Sequence, residues 1–387
     1  MLKCVPIRKV ILFALVLIFV SCKSNKKEES NSPIKLTISD NIDSDKSINQ
    51  EIVETLTKFL ETKNSSYYEN EYWYKPDFGT YIFPYSDIYK IEHKDSIQNF
   101  YQPTLMEIVD TDEEYKKLAK IAFIGHNEVN NENTIKAIYN IVATKTEGNI
   151  VFSNPLGYFT KDWDKIQKGS IQYVVSPQKE FDETEAQMQL EAIDKISEFY
   201  SIDPLPITYY SCVGLKELFE IKGFDYKPTM YIDGGGGLAE RHNIVLSANN
   251  TEVYTHEIVH HYNLVLSSST HKLIEEGVAT YIGGTRTYSY SWHKENLKNH
   301  INSNPDIDLS KYLEPFERVF AGETSIPYMV GALICERTFR IYGKEHLFVL
   351  ITGGVGFWEL LSEVGLTKEN FDAELKKELQ LPPTLCM

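Results

Sequence analysis

Two histidines and a glutamate in the second half of the chain carry side chains that can bind a metal ion and move a proton. The run from Thr255 to His261 reads T-H-E-I-V-H-H and contains the pattern H-E-x-x-H. On a helix, His256 and His260 lie one turn apart on the same face, so both imidazoles can bind one zinc ion. Glu257, beside the first histidine, can reach a water molecule next to that ion. The chemistry that this pattern predicts is hydrolysis by an activated water.

A pattern this short can also arise by chance. A chain of this length with ten histidines contains H-E-x-x-H in roughly one case in fifty from composition alone. The alternative is then a surface helix with solvated histidines. The segment from Leu273 to Tyr281, L-I-E-E-G-V-A-T-Y, argues against chance because it begins a second helical pattern that carries carboxylates. A third metal ligand can come from Glu275 or Glu276.

The two segments together resemble the gluzincins, the zinc peptidases that include thermolysin and aminopeptidase N. In that family, the third ligand is a glutamate before a glycine on the helix that follows H-E-x-x-H, and an aromatic residue comes shortly after. Glu276 and Gly277 take that place here, and Tyr281 follows. The resemblance therefore favours Glu276 as the ligand and leaves Glu275 as a carboxylate beside the site.

The resemblance also implies a division of roles among these side chains. His256, His260 and Glu276 would hold zinc and leave one position open for water. Glu257 would act as the general base and then return the proton to the leaving amine. The developing oxyanion still needs a second hydrogen-bond donor besides the metal.

A tyrosine downstream is a candidate for that donor. The run from Ile326 to Ala332, I-P-Y-M-V-G-A, resembles the P-Y-x-K-G-A segment of the aminopeptidases, whose tyrosine hydrogen-bonds the transition state; Val330 replaces the lysine here. Tyr328 stands at the matching position and is the predicted second catalytic residue. Alternatively, Pro327 and Tyr328 simply start a packed helix. Other candidates for the donor are Tyr288, Tyr290 and His293.

The flanking sequence predicts the elements that position these residues. The four glycines at 234–237 lack the Lys-Ser or Lys-Thr of a phosphate loop and indicate close backbone approach instead. The run from Asn243 to Ala248 predicts a strand, which by resemblance would form a sheet edge that pairs with extended substrate. Asn249, with Glu252 three residues on, predicts that the metal helix starts near residue 249.

One side of the metal helix is expected to be buried. Its members are apolar or aromatic: Tyr254, Ile258, Tyr262 and Val265. His256 and His260 fall on a neighbouring face, whereas His261 lies about 100° round and is not an expected ligand. The aminopeptidase signature G-x-M-E-N is absent, which disfavours the removal of amino-terminal residues.

The amino terminus has the pattern of an export signal. Three basic residues precede an unbroken apolar run of eleven residues, from Val10 to Val20. A helix needs about 20 residues to cross a bilayer, so we interpret residues 1–21 as a signal peptide and not as a transmembrane anchor. Ser21-Cys22 resembles a bacterial lipobox, which implies that Cys22 is acylated. The alternative is an ordinary secretory signal with an incidental cysteine.

Composition divides the rest of the chain. Residues 22–50 are polar and form a predicted flexible tether. Residues 51–177 are interpreted as an α+β accessory domain, and 178–387 as a gluzincin-like peptidase domain with a helical C-terminal subdomain. The predicted fold class is α+β. Predicted helices cover 51–60, 182–200, 215–221 and 371–379, and predicted strands cover 135–142, 150–152, 171–175 and 207–213.

Other features of the sequence are less specific. The aromatic-rich region 67–101 can form a binding surface, although such clusters are more often core. His93 and His126 have no neighbour at metal-ligand spacing. An oxidising compartment would permit one disulfide among three cysteines, with the pairing left open: Cys212, Cys335 and Cys386.

Charge limits the partners of this protein. The formal net charge is −16, and loss of the three basic residues of the signal makes it −19. Such a surface disfavours nucleic acid and anionic lipid headgroups, so attachment to the membrane would depend on acyl chains at Cys22. The sequence predicts a zinc metallopeptidase of the cell envelope, anchored by lipid, that acts on peptides or proteins. The alternative is a lipoprotein binding module that keeps the fold without catalysis.

Overall fold

The computed structural model describes residues 33–232 and 234–385 and has an α+β fold, which confirms the predicted class. The predicted signal peptide and Cys22 lie outside these residues. The helices are α1 (Ser47–Thr62), α2 (Lys75–Tyr81), α3 (Leu156–Phe159), α4 (Glu183–Tyr200), α5 (Leu215–Ile221), α6 (Thr255–Leu266), α7 (Lys272–Gly283), α8 (Tyr290–Ser303), α9 (Ile326–Tyr342), α10 (Lys344–Thr352), α11 (Phe357–Glu363) and α12 (Phe371–Gln380). The strands are β1 (Thr37–Ile38), β2 (Tyr101–Asp110), β3 (Lys116–Asn127), β4 (Glu132–Thr146), β5 (Asn149–Ser153), β6 (Asp164–Lys168), β7 (Ile171–Val175), β8 (Ile207–Ser211), β9 (Phe224–Tyr226), β10 (Gly237–Glu240), β11 (Ile244–Ser247), β12 (Phe320–Ala321) and β13 (Thr324–Ser325).

The first sheet is built mainly by the N-terminal half of the chain. Its strands lie in the order β1-β2-β3-β4-β5, and β9 adds to β4. The β4–β5 hairpin turns at Glu147 and Gly148, which both have positive φ, as a type I′ turn requires. Helix α1 contacts this sheet and contributes Leu56 and Phe59, which are fully buried.

The second sheet carries the strand nearest the candidate site. Its order is β10-β11-β8-β7-β6, with β7, β8 and β11 parallel and the two outer strands antiparallel to their neighbours. Side chains alternate between its two faces. Tyr209 and Val245 belong to the core of the C-terminal helices, whereas Tyr210 and Leu246 belong to the core of the first sheet. This sheet therefore separates the two hydrophobic cores.

The predicted edge strand is wrong. Strand β11, which matches the predicted run 243–248, lies between β8 and β10, and the edge is β10. Strand β10 packs closely against the start of α6: a Cβ on Gly237 would lie 2.3 Å from the ring of Tyr254. Leu238 and Ala239 pair with Leu246 and Val245.

The predicted start of the metal helix is also wrong, by six residues, because α6 begins at Thr255. The segment before it is held in an irregular conformation by other partners. The Glu185 carboxylate accepts hydrogen bonds from the Thr251 hydroxyl and the Glu252 backbone N–H, at 2.7 and 3.0 Å. The Glu252 carboxylate is buried in an ion pair with Lys179. A cap at Asn249 would need the Glu252 backbone N–H and the Glu252 carboxylate. Both groups are already bound, the first to Glu185 and the second to Lys179.

The buried side of α6 is predicted correctly except at its end. Tyr254, Ile258 and Tyr262 are buried, but Val265 is 55% exposed because it lies in the last turn, beyond the buried part of the helix.

Helices α7 and α9 cross at unusually close range. A Cβ on Gly277 would lie 2.4 Å from the backbone of Gly331, and a Cβ on Gly331 would lie 2.3 Å from the backbone of Leu273. Only glycine permits such an approach. Gly277 follows Glu276, and Gly331 comes one turn after Tyr328, so this crossing brings those two side chains together.

Six other predicted elements are observed within two residues of their predicted bounds: helices α4, α5 and α12 and strands β5, β7 and β8. Helix α1 and strand β4 are also present but are longer than predicted, by up to four residues at an end. Strands β6 and β7 precede residue 177 but share a sheet with β8 and β11; the domain boundary at that residue stays a prediction. Within the described part of the chain, no helix is long and apolar enough to span a bilayer.

Candidate metal centre

Helix α6 presents three polar side chains to a cleft although almost all of its surface is covered. His256, Glu257 and His260 are only 2%, 7% and 7% exposed. The two histidine rings, one turn apart, have centroids 5.0 Å apart. Buried imidazoles and carboxylates are costly unless they have partners, so this group needs partners from other elements.

Glu276 on α7 supplies the nearest carboxylate. Its Oε2 atom lies 3.3 Å from His256 Nε2 and 3.7 Å from His260 Nε2. The three residues offer donor atoms that all lie within 4.8 Å of one another, and they are the only such group of three or more among the described residues. Zinc ligands at about 2.0–2.1 Å in a tetrahedral site are spaced by about 3.3 Å, so the donor set fits a zinc ion.

Backbone contacts set the orientation of the first histidine. His256 Nδ1 lies 2.8 Å from the carbonyl oxygen of Gly284, which leaves Nε2 facing Glu276. Metal-binding histidines commonly donate their second ring N–H in this way. A Cβ on Gly283 would lie 2.5 Å from the His256 backbone nitrogen, so glycine is required for the close approach of α7 to α6.

His260 is held less completely. Its buried Nδ1 atom has no hydrogen-bond partner among the described residues, and the Oε1 atom of Glu275 lies 3.8 Å away. Glu275 is thus beside the site and Glu276 within it, as the resemblance implies. His261 faces away, with Nε2 3.2 Å from the carbonyl oxygen of Ile244.

Burial and mutual charge shift the titration of these groups. Burial lowers the pKa of His260 to about 4, which favours the neutral imidazole that a metal requires. Burial acts to raise the pKa of Glu276, but the hydrogen bond and charge of His256 and the charge of His260 outweigh it, so the pKa is lowered. Burial raises the pKa of Glu257 to about 7, against the opposing charge of His256.

Tyr328 lies in the first turn of α9, where its backbone N–H donates to the Ser325 hydroxyl at 3.4 Å. Its ring is parallel to that of His256, with centroids 5.9 Å apart. Its hydroxyl hydrogen-bonds Glu276, and burial raises its pKa far above the usual range. The hydroxyl is therefore protonated and available as a donor at the site.

The alternative donors have other partners. The Tyr290 hydroxyl donates to Glu336 at 2.5 Å. His293 lies between the Thr324 hydroxyl and the carbonyl oxygen of Thr285, at 2.9 and 3.1 Å. The Tyr288 ring stacks on Trp292, with centroids 4.0 Å apart.

The site opens into a cleft of about 620 Å³. Its walls are the glycine-rich segment and strand β10, helices α6 and α7, and the loop 315–320. Because β10 is a sheet edge, the cleft runs beside a strand whose outer backbone groups have no neighbouring strand in the described structure.

Two residues near Glu257 were not identified from the sequence as parts of the site. The Tyr254 hydroxyl and the Ala239 backbone N–H both hydrogen-bond the Glu257 carboxylate. Tyr254 was assigned only to the buried side of the helix, and Ala239 is an ordinary apolar residue. The one available signal was the glycine run just before Ala239, which indicated close backbone approach.

No protein-family model matches this chain, and no curated protein matches it. The resemblance to gluzincins therefore rests on the motifs quoted above. Among the remaining histidines and cysteines, His126 contacts Asn133 at 2.9 Å, and Cys212 is a buried free thiol. Cys386 lies outside the described residues.

Proposed function

We propose that this protein is a zinc-dependent metallopeptidase of the gluzincin type that hydrolyses peptide bonds. The observation that carries the proposal is the convergence of His256, His260 and Glu276 donor atoms within 4.8 Å, beside a sheet edge. Three protein donors leave a position for water, which is typical of catalytic and not structural zinc sites. Zinc, when bound, supplies a Lewis acid that activates water and polarises the substrate carbonyl.

Glu257 is the proposed proton carrier. Its carboxylate accepts a proton from the attacking water and delivers it to the nitrogen of the leaving amine. A carboxyl group whose pKa is raised to about 7 by burial is suited to both transfers near neutral pH. The hydrogen bonds from Tyr254 and Ala239 hold the carboxylate toward the cleft.

The main chain of β10 is the proposed binding site for the substrate backbone, in place of β11. An extended peptide can add to a sheet edge through backbone hydrogen bonds. Tyr328 then donates its hydroxyl hydrogen to the carbonyl oxygen as negative charge develops there. Both features support a peptide as the substrate.

We further propose that the protein is lipid-anchored at Cys22 in the cell envelope, where its substrates are peptides or proteins. The negative charge of the chain supports the exclusion of nucleic acid as a partner.

The test of this function is metal analysis and a peptidase assay on purified wild-type protein and Glu257→Gln. We expect one zinc per chain in both proteins and loss of at least about a thousandfold of activity in the variant, because the base is removed. A matched control is Glu220→Gln, since Glu220 lies on α5 in a surface pair with Lys216. Stoichiometric zinc without any peptidase activity would favour the binding module, and protein that takes up no zinc would contradict both the metal site and the enzyme.

A further inference from the structure

Four basic side chains line the cleft of this strongly acidic protein: Arg241, Lys272, Arg286 and Arg318. They differ in their partners. Arg286 is paired with Glu323, so its charge is largely compensated. The Arg241 guanidinium lies over the ring of Phe83, 5.7 Å from its centroid, and the Lys272 ammonium lies over Phe316 at 5.4 Å. Neither cation is in ion-pair contact with a carboxylate among the described residues.

Arg241 directly follows the last residue of β10 and lines the cleft. Within the strand, Ala239 pairs with Val245, whose side chain belongs to the same core as α6, whereas Glu240 pairs with Ile244 of the opposite core. Arg241 comes two residues after Ala239. Two residues of extended chain span about 7 Å, which is also the spacing of alternate residues in an extended substrate.

Lys272 approaches the same place from the other wall of the cleft. It is the first residue of α7 and stands one turn before Glu275, whose Oε1 atom lies 3.8 Å from His260 Nδ1. Arg241, Lys272 and Glu275 all line the cleft. Two cations without an ion pair among the described residues therefore share the cleft with Glu275.

Both cationic groups lie over aromatic rings, and no ion pair with a carboxylate of the described residues uses their hydrogen-bond donors. A guanidinium that rests on a ring can still bind a carboxylate through two parallel N–H groups. The rings of Tyr67 and Tyr68 each lie 5.4 Å from the Phe83 ring, so a group of aromatic residues from the N-terminal half of the chain lies beside Arg241.

We propose that Arg241 and Lys272 form a subsite for an acidic side chain of the substrate, about two residues along the peptide from the residue opposite Ala239. This inference rests on the proposed peptidase function. It names aspartate or glutamate in the substrate as the preferred residue at that position and Arg241 as the main specificity-determining residue.

The test uses peptides that are amidated at the C-terminus. Within a series, the peptides differ only by Glu, Gln or Lys at one position. Amidation ensures that the side chain supplies the only variable carboxylate. With the wild-type protein, we expect kcat/KM for Glu to exceed that for Gln at one position by on the order of tenfold, the usual scale of a charge-assisted hydrogen bond. Arg241→Glu should abolish this preference and favour Lys.

Binding measurements and a milder variant test the acidic subsite separately from the peptidase activity. Calorimetric binding of the same peptides to Glu257→Gln reports the preference without turnover, and Arg241→Gln provides a milder variant if Arg241→Glu does not fold. Lys165→Glu is the matched control, because Lys165 is exposed on β6 at the far edge of the same sheet. We expect it to keep the wild-type preference.

The outcomes are distinct. Cleavage or binding without preference for Glu at any position would overturn the acidic subsite while leaving the peptidase intact. Failure of the wild-type protein to cleave any peptide would overturn the proposed function, and the binding measurement would then decide the subsite by itself.

Discussion

At the scale of single residues, the surroundings of the Tyr328 hydroxyl favour one specific role, that of a hydrogen-bond donor in the site. Tyr328 is half-buried, and its protonated hydroxyl is hydrogen-bonded to Glu276. Tyr328→Phe removes only this donor, so we expect kcat to fall by about 10²–10³, as with other oxyanion donors, with zinc content unchanged. Steady-state kinetics and metal analysis measure the two quantities.

Tyr288→Phe is the control for that prediction, because Tyr288 is exposed and stacks on Trp292 outside the cleft. An equal loss of activity in both variants would argue against a specific role for the Tyr328 hydroxyl, and loss of zinc in Tyr328→Phe would assign it to metal binding instead.

Asp77 gives a prediction about pH. Its carboxyl group receives hydrogen bonds from Trp73 Nε1 at 3.0 Å and the Asn154 backbone N–H at 2.7 Å, yet burial raises its pKa to about 6. A raised pKa means that the folded protein binds the proton more tightly than the unfolded chain does. This contribution to stability is therefore complete below about pH 4 and is lost as pH rises through 6.

The expected size of that loss is about 2–3 kcal/mol in the free energy of unfolding, since the pKa rises from 3.8 to about 6 and one pKa unit corresponds to about 1.4 kcal/mol. Asp77→Asn cannot titrate, so the difference in stability between wild type and variant should change by this amount between pH 4 and pH 7. Urea unfolding at both values measures it. A difference that is constant with pH would contradict the raised pKa.

At the scale of elements, the crossing of α7 and α9 brings Glu276 and Tyr328 together. Gly277→Ala would place a methyl group 2.4 Å from the Gly331 backbone, so the helices must separate. We expect a loss of about 2–3 kcal/mol in unfolding free energy, as for overpacked cores, together with weaker zinc binding. Denaturant unfolding and metal titration check the two effects.

The matched control for the crossing is Gly79→Ala. Gly79 lies in α2, where an added methyl group would meet no atom within 4 Å, and alanine stabilises an exposed helix by up to about 1 kcal/mol relative to glycine. A similar destabilisation by both substitutions would show that the helix crossing is not the cause.

At the scale of the whole molecule, an ion cluster joins the turn 86–88 and the end of α5 to the edge of the second sheet. Lys222, which is 7% exposed, contacts Asp87 at 3.0 Å and also pairs with Glu240 on β10. Lys222→Met would leave two carboxylates without their cation. We expect a loss of about 3 kcal/mol in stability and a several-fold higher KM, because β10 is the proposed substrate edge.

Lys63→Met is the control for this effect. Lys63 forms a fully buried ion pair with Glu92 at 2.8 Å, so its loss should destabilise the protein to a similar degree. Neither Lys63 nor Glu92 is on β10 or lines the cleft, so KM should not change. Thermal unfolding and steady-state kinetics on both variants decide the matter: an equal rise in KM would mean that general destabilisation, and not the edge strand, controls substrate binding.

Local sequence was sufficient to predict many elements and the residues of the candidate metal site. The placement of His256 and His260 on one face follows directly from the helical repeat. The α+β class follows from segments of helical and of strand-like periodicity that alternate along the chain. Helix α5 was predicted at its observed bounds, Leu215 to Ile221. These features depend on residues that are near one another in the chain, so their pattern is visible before folding.

Only the tertiary structure decided which strand is the sheet edge, where α6 begins and which side chains surround Glu257. The order β10-β11-β8 depends on pairing between segments that are distant in sequence, and the start of α6 is decided by Glu185 and Lys179, more than sixty residues earlier. Strand order and buried charge pairs are long-range contacts with no periodic signal. The pattern of residue types along the chain therefore determines which side chains can do chemistry, whereas packing between distant segments determines how those side chains are arranged in space.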